Sequence, residues 1–284
     1  MSTSGSQTGR LGPDGNIFRG THRGKGRTSA VTPRNSSMRQ LSYGRVRLDS
    51  TLPSVTFSLA DQEAGFICLS GQATITVDGQ TFAVKQYDAL YVPRDSSVTI
   101  ATESEADLAE FSAPVANRYP IQFVPYAEIL TDGSLHFKTG GPATSRTLNI
   151  MLGKNVRAGR IMAGLTISEP GNWTSWPPHE HAAMLEELYV YTEMPPPGFG
   201  IQLVYTDPRD PEIATIVREG DAVLMPRGYH PNVSAPGGRI GFLWAMAAHR
   251  EVEDRQFGVV NVQPEFAQGG SGLEASRPSG KPGK

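Results

Sequence analysis

The sequence predicts an all-β protein made of two related β-modules, and three observations lead to that reading. Short stretches rich in Val, Ile, Thr, Phe and Tyr follow one another from Leu41 onward, broken by turn residues rather than by amphipathic helices. A phrase from the first half of the chain recurs in the second half. A Pro- and Gly-rich stretch separates the two runs. With 284 residues, 38% of them hydrophobic, the chain can hold two cores of ordinary size.

Residues 1–40 are rich in Gly, Ser, Thr, Arg and Asn without apolar periodicity, which predicts a largely disordered arm. His22 lies there beside Arg23, Lys25 and Arg27 and reads as a solvated residue of that arm. Strands are then predicted at 43–48, 55–59, 65–69, 73–77 and 81–84, followed by 88–92, 97–101 and 107–111. Val77-Asp78-Gly79-Gln80 marks a tight hairpin, because Asp-Gly supplies the positive φ angles that a two-residue turn requires. Residues 41–113 therefore form a first module. Residues 114–145, with Pro114, Pro120, Pro125 and Gly140-Gly141-Pro142, form a connection in which His136 reads as a loop or short-strand residue. Strands resume at 147–152, 160–168, 188–192, 200–205, 214–217, 222–225 and 239–247, giving a second module over 146–266. Residues 267–284, rich in Gly, Ser and Pro, read as a disordered tail.

The net charge of -2, from 26 basic and 28 acidic residues, comes without a basic run, which argues against nucleic acid and for a small-molecule partner. The single cysteine, Cys68, rules out an intramolecular disulfide and fits a cytoplasmic location. No apolar run approaches the roughly 18 residues of a membrane span, and the polar start has no apolar signal core.

The repeat sets Tyr87-Asp-Ala-Leu-Tyr-Val-Pro-Arg94 against Gly220-Asp-Ala-Val-Leu-Met-Pro-Arg227, at an offset of 133 residues (220 minus 87). Ser97 then stands where His230 stands, and no histidine falls between Arg23 and Leu135, so the first module has no imidazoles of its own for a metal. The second has His179, His181, His230 and a glutamate at 186 or 187. His179 and His181 project from one side of an extended strand, because strand side chains alternate with a period of two. Neutral imidazoles with a carboxylate suit a divalent first-row metal, with Mn, Zn, Fe and Ni all compatible.

These motifs resemble those of the cupin superfamily: Gly-x5-His-x-His-x(3 or 4)-Glu around His179-Glu180-His181 and Glu187, and Gly-x5-Pro-x-Gly-x2-His around Gly220, Pro226, Gly228 and His230. The spacing departs slightly at Glu187 and by one residue before His230. The resemblance implies two jelly-roll-type barrels, a bicupin, with the metal in the second between His179, His181, Glu187 and His230. Choosing Glu187 puts Tyr189 and Tyr191 on the metal face and Leu188 and Val190 on the packed face; choosing Glu186 reverses this.

More narrowly, Gly171-Asn-Trp-Thr-Ser-Trp-Pro-Pro-His-Glu-His, Leu185-Glu-Glu-Leu-Tyr-Val-Tyr and Gly220-Asp-Ala-Val-Leu-Met-Pro-Arg-Gly-Tyr-His-Pro231 resemble the 5-deoxy-glucuronate isomerase and uronate isomerase family. The likeness in wording covers about residues 146–250; residues 251–266 lack that family's Trp- and Asn-Asp-Pro-containing ending. It implies a metal-dependent aldose–ketose isomerase that converts 5-deoxy-glucuronate to 5-dehydro-2-deoxy-gluconate in myo-inositol catabolism. The alternatives are a 4-deoxy-5-hexosulose-uronate isomerase of pectin breakdown, a metal-dependent cupin dioxygenase and a non-catalytic sugar-binding bicupin. Such an isomerase moves a proton or hydride between adjacent carbons while charge gathers on two neighbouring oxygens, which a divalent ion stabilises as a Lewis acid. Candidate catalytic hydroxyls are Tyr189, Tyr191 and Tyr205; candidate substrate-binding residues are Arg146 and Arg227, for the sugar-acid carboxylate, and Gln202. Trp173 and Trp176 read as packing at the barrel mouth, Glu180 as pointing away from the metal and His249 as a strand-end residue. A homo-oligomer through a sheet edge or the arm is compatible with the sequence.

Overall fold

The computed structural model describes residues 10–269. Among these the regular structure is nearly all strand, with one α-helix, Tyr126–Thr131, and short 3-10 turns at Thr21–Arg23 and Pro264–Gly269. No helix among the described residues is long and apolar enough to cross a membrane.

In the first module a curved sheet places its strands in the order Gln122–Val124, Ala89–Val92, Gln62–Val77, Glu105–Pro114, Ser42–Asp49 and Gly26–Val31. Gln62–Val77 then continues into a facing layer with Gln80–Lys85, Ser97–Ala101 and Ser54–Ser58. The bend falls where the pairing slips between Cys68 and Ser70. Gly71 sits at that corner with φ +70°, and a Cβ there would run into the Glu105 carbonyl. Alternation sends Ala64, Phe66 and Cys68 into the barrel core with Leu90, Val92 and Leu108. Ile67, Leu69, Tyr91 and Phe111 point the other way, into a second cluster. The Asp78-Gly79 hairpin forms as expected, with φ of 48° and 84°.

The second module repeats the plan. Its larger sheet runs Ile17–Phe18, Ala222–Met225, Leu185–Thr192, Gly241–Ala248, Ile161–Ser168, Arg146–Leu152 and His136–Thr139. Its facing sheet runs Trp173–Thr174, Asn232–Ser234, Gly200–Val204 and Ile213–Val217. Ile150, Leu152, Ile161, Leu188 and Val190 join the outward residues of the first module in one buried cluster, so the two barrels pack sheet against sheet. Each large apolar side chain buried there contributes about 1.5–3 kcal/mol, enough to hold the barrels as one body. Gly65 lies so close to Leu152 and Ile161 that a Cβ would overlap the Leu152 side chain.

The repeat extends to backbone geometry. Tyr87 and Gly220 both adopt positive φ, 67° and 78°, as do Asp95 and Gly228, 58° and 90°, each pair at the same offset. Asp88 accepts from the backbone N–H groups of Lys85 and Tyr126, and Asp221 from those of Arg218 and Gly20.

The arm expected to be disordered over residues 1–40 is structured from residue 10 onward. Ile17–Phe18 pairs with Ala222 and Val223 of the second module, and Gly26–Val31 pairs with Ser42–Asp49 of the first. The connecting segment does the converse: Gln122–Val124 joins the first sheet and His136–Thr139 the second. The expected boundaries at 40/41 and 145/146 therefore cut through shared sheets. Such two- to six-residue strands are too short to show periodicity. Residues 1–9 and 270–284, which include most of the expected tail, lie outside the described residues.

Two buried carboxylates complete the lacing. Glu63 accepts the N–H groups of Gly159, Arg160 and Ile161 at 2.7, 2.6 and 2.8 Å. Glu186 accepts those of Arg39, Gln40 and Leu41 at 2.8, 2.7 and 2.6 Å. Each glutamate lies in one module and draws its donors from the start of a strand in the other.

Candidate functional site

The site lies inside the second barrel, where His179, His181 and His230 bring ring nitrogens within 4.8 Å of one another. The cis Trp176–Pro177 bond and Pro178 lead the chain into a short strand, His179–Glu180. The loop after His181 is held by His249, whose Nε2 lies 3.0 Å from the Ala182 carbonyl. His230 follows the Gly228 turn, and Gln202 holds the His230 carbonyl from behind at 2.9 Å. Leu185–Thr192 carries Glu187, whose Oε2 lies 2.9 Å from His181 Nε2 and 3.0 Å from His230 Nε2.

Proton positions follow from the neighbours. His179 Nδ1 lies 2.8 Å from the Pro177 carbonyl, and His230 Nδ1 lies 2.8 Å from the Gly228 carbonyl. A carbonyl only accepts, so in both rings the proton sits on Nδ1 and the lone pair on Nε2. His230 Nε2, carrying a lone pair rather than a proton, is buried without a hydrogen bond although Glu187 Oε2 lies 3.0 Å away. Burial, followed by the neighbouring His230 and His181, lowers His179 to about 3. Burial also opposes charge on His181, but the adjacent Glu187 outweighs it and raises that ring. Burial would raise Glu187, yet the charge and hydrogen bond of His181 outweigh it and hold it down at about 2. Neutral imidazoles fixed by backbone carbonyls, an unsatisfied buried nitrogen and an ionised carboxylate form a donor set that fits a divalent cation.

The cavity around this cluster encloses about 590 Å³, including its open mouth. Arg146, Thr166, Ser175 and Tyr189 give it polar groups beside the histidines. Arg146 donates to the Thr144 and Trp176 carbonyls at 2.9 and 2.6 Å, which fixes its guanidinium at the wall. The hydroxyls of Ser175 and Tyr189 lie 2.6 Å apart. Burial, reinforced by Glu187, pushes Tyr189 well above the ordinary tyrosine value and keeps it a neutral phenol. Leu148, Phe242, Trp244 and Met246 supply an apolar floor, with the Trp244 indole lying over Gly164.

Strand parity places Glu187 and Tyr189 toward the cavity and Glu186 toward the first module. Other expected residues lie elsewhere. Arg227 forms a two-pronged ion pair with Glu212, 2.7 Å at each contact, away from the cavity lining. Gln202 is fully buried behind His230, accepting from Tyr191 and Asn232 and donating to backbone carbonyls, so it has no face left for substrate. Tyr191 donates into that same network and does not line the cavity. Tyr205 donates to Gln263 at 2.8 Å outside the lining. Glu180 faces away from the histidines and accepts from Asn261 and from the Ala182 N–H. His136 contacts Asn149 in a neighbouring strand, far from the cluster in the sheet order.

The sequence reading missed the strap that roofs the cavity. Phe257–Val260 line its mouth, and Asn261–Val262 pairs directly with His179–Glu180. Gln263 N–H bonds the Pro178 carbonyl at 2.8 Å, Phe257 stacks on Trp244 at 5.2 Å, and Phe266 meets Trp176 edge-on at 4.9 Å. Trp176 in turn lies 5.6 Å from Trp173, so both tryptophans serve as packing for the strap. Ser175 was also missed; the φ of +50° that aims its hydroxyl at Tyr189 leaves no mark in the residue pattern.

Comparison with known proteins places this geometry. The KduI/IolB family pattern matches residues 17–262. A 5-deoxy-glucuronate isomerase of Geobacillus kaustophilus is 32% identical over 200 residues, covering 64% of this chain and 70% of that protein. The enzyme of the same name from Bacillus licheniformis is 32% identical over 218 residues, covering 70% of this chain and 78% of that one. The crystal structure of an IolB-like protein from Salmonella typhimurium superposes with a TM-score of 0.77 at 21% identity, covering 89% of this chain and 98% of that chain. A variant of Bacillus subtilis oxalate decarboxylase superposes with a TM-score of 0.61 at 15% identity, covering 88% of this chain and 79% of that one, a likeness of fold alone. The two barrels share the fold of these structures, and the chain belongs to the KduI/IolB family.

Proposed function

We propose that this isomerase of the KduI/IolB family is metal-dependent and converts 5-deoxy-glucuronate to 5-dehydro-2-deoxy-gluconate, a step of myo-inositol catabolism. The observation that carries the reading is the meeting of His179, His181, His230 and Glu187 in one cavity with Arg146, Ser175 and Tyr189. Relatives that share about 30% of their residues with this chain bear the name of that activity. A divalent ion held by the three histidines and Glu187 would supply Lewis-acid polarisation of two adjacent substrate oxygens.

The remaining roles belong to the protein. Arg146, its guanidinium oriented by two backbone carbonyls, offers a fixed positive charge to the sugar-acid carboxylate. The Ser175 and Tyr189 hydroxyls form one hydrogen bond, and when Ser175 is its donor the Tyr189 proton is free to hydrogen-bond a substrate oxygen in the cavity and to be held or returned there. The apolar floor and the Phe257–Val260 strap exclude water from the reacting carbons.

The deciding experiment mixes the purified, metal-loaded protein with 5-deoxy-glucuronate and follows ketose formation by NMR. Ketose appearance is the expected result. Conversion of 4-deoxy-5-hexosulose-uronate instead would move the assignment to pectin breakdown, dioxygen consumption would make the protein an oxygenase, and no conversion of either acid would overturn the proposal.

A further inference from the structure

We propose that Glu186 is a positioning residue for the metal ligand Glu187, anchored by backbone donors of the other module. The inference rests on the metal-dependent reading above. Glu186 is 1% exposed and its carboxylate accepts three N–H groups from Arg39, Gln40 and Leu41, all within 2.8 Å. Charge-assisted bonds of this kind in a desolvated setting are the strong ones. Because successive strand residues point to opposite faces, Glu186 grips the first module while Glu187 reaches His181 and His230 on the other side. The pairing of Leu185–Thr192 with Ala222–Met225 and Gly241–Ala248 sets its register, and the Glu186 clasp sets how this end of the strand lies against the first module. A metal site tolerates only about 0.5 Å of error in its ligands, so the clasp acts on affinity as well as on stability.

The chain carries its own control. Glu63 makes the reciprocal clasp with Gly159, Arg160 and Ile161, but the residue after it is Ala64, buried in the first barrel core where the second module has Glu187. Glu63 therefore shares the structural role of Glu186 without a ligand beside it.

The test compares wild type, Glu186→Gln and Glu63→Gln in the full chain. Co(II) is titrated with its visible absorption as the readout, and Tm is measured alongside. A neutral amide turns an N–H donor toward backbone donors, so both variants should lose several degrees of Tm. The Co(II) dissociation constant should rise about 10-fold or more in Glu186→Gln, the usual scale for removing outer support of a ligand, and stay within about 2-fold in Glu63→Gln. Equal affinity changes in the two variants would overturn the positioning role while leaving the metal site standing. Wild type that does not bind Co(II) through its histidines would overturn the metal reading itself. If either glutamine variant fails to fold, Glu186→Asp and Glu63→Asp, which keep the charge and shorten the reach, are compared by the same criterion.

Discussion

Ser175 Oγ lies 2.6 Å from Tyr189 Oη, and both residues line the cavity that holds the three histidines. The pair marks Tyr189 as the hydroxyl most directly placed to act on substrate. Tyr189→Phe should fold and lose about 100-fold in kcat, the lower end for a positioned proton-transfer group, whereas Tyr191→Phe should stay within a few-fold. Steady-state kinetics on the two variants checks this, and equal losses would remove the distinction.

Arg146 and Arg227 should separate in the same way. Arg146→Met should cost about 10–100-fold in kcat/KM, mostly through KM, because it removes the cavity's fixed guanidinium. Arg227→Met should leave kcat/KM within about 2-fold and cost about 1–2 kcal/mol of stability, measured by urea unfolding, because it takes the charged partner from Glu212 and leaves it with the Leu11 N–H and the Thr206 hydroxyl.

Chelation should abolish turnover, and adding back a divalent ion should restore it. His230→Ala should lose metal and turnover together while the protein remains folded, since the unsatisfied Nε2 is already a cost to the metal-free fold. Metal content by mass spectrometry, set beside activity, is the check.

Cys68 should be silent toward thiol reagents. Burial, then the charges of Asp88 and Asp107, pushes its pKa up to about 12, and the thiol lies within the first barrel core. A disulfide reagent at pH 8 should therefore label the native protein negligibly and the denatured protein once per chain.

Glu251 accepts from the N–H groups of Ala116 and Asn117 and from the Tyr119 hydroxyl, which ties the end of the second barrel to the connection. Burial opposes its charge, but those hydrogen bonds outweigh it and hold its pKa below the ordinary 4.5. A depressed carboxyl stabilises fully above its unfolded value and loses that contribution as pH falls through the folded one. Glu251→Gln should cost about 1–2 kcal/mol at pH 7, and the gap to wild type should close as pH drops below about 4.5, as read from denaturant midpoints across pH.

The long alternating strands and the histidine cluster were legible because each leaves a pattern. Parity alone put Glu187 and Tyr189 on the cavity side, and the matched phrases at Tyr87 and Gly220 share backbone conformation as well as wording. Parity could not see how far along the strand the cavity extends, so Tyr191 shares a strand face with Tyr189 yet bonds Gln202 outside the lining. Ile17–Phe18 and Asn261–Val262 were invisible because a two-residue strand has no period. Arg227 was misassigned because a sequence does not reveal that Glu212 already occupies its guanidinium.

The reciprocal grip of Glu63 and Glu186 makes the two halves inseparable in a way their repeat does not suggest. A chain cut in the connection would yield fragments that each carry a buried anion whose compensating amides are on the other piece. The halves should therefore recombine rather than persist alone, as a homodimer made covalent would. Within such a partnership one copy can lose its imidazoles and still be indispensable, because it supplies the amides that keep its twin in shape.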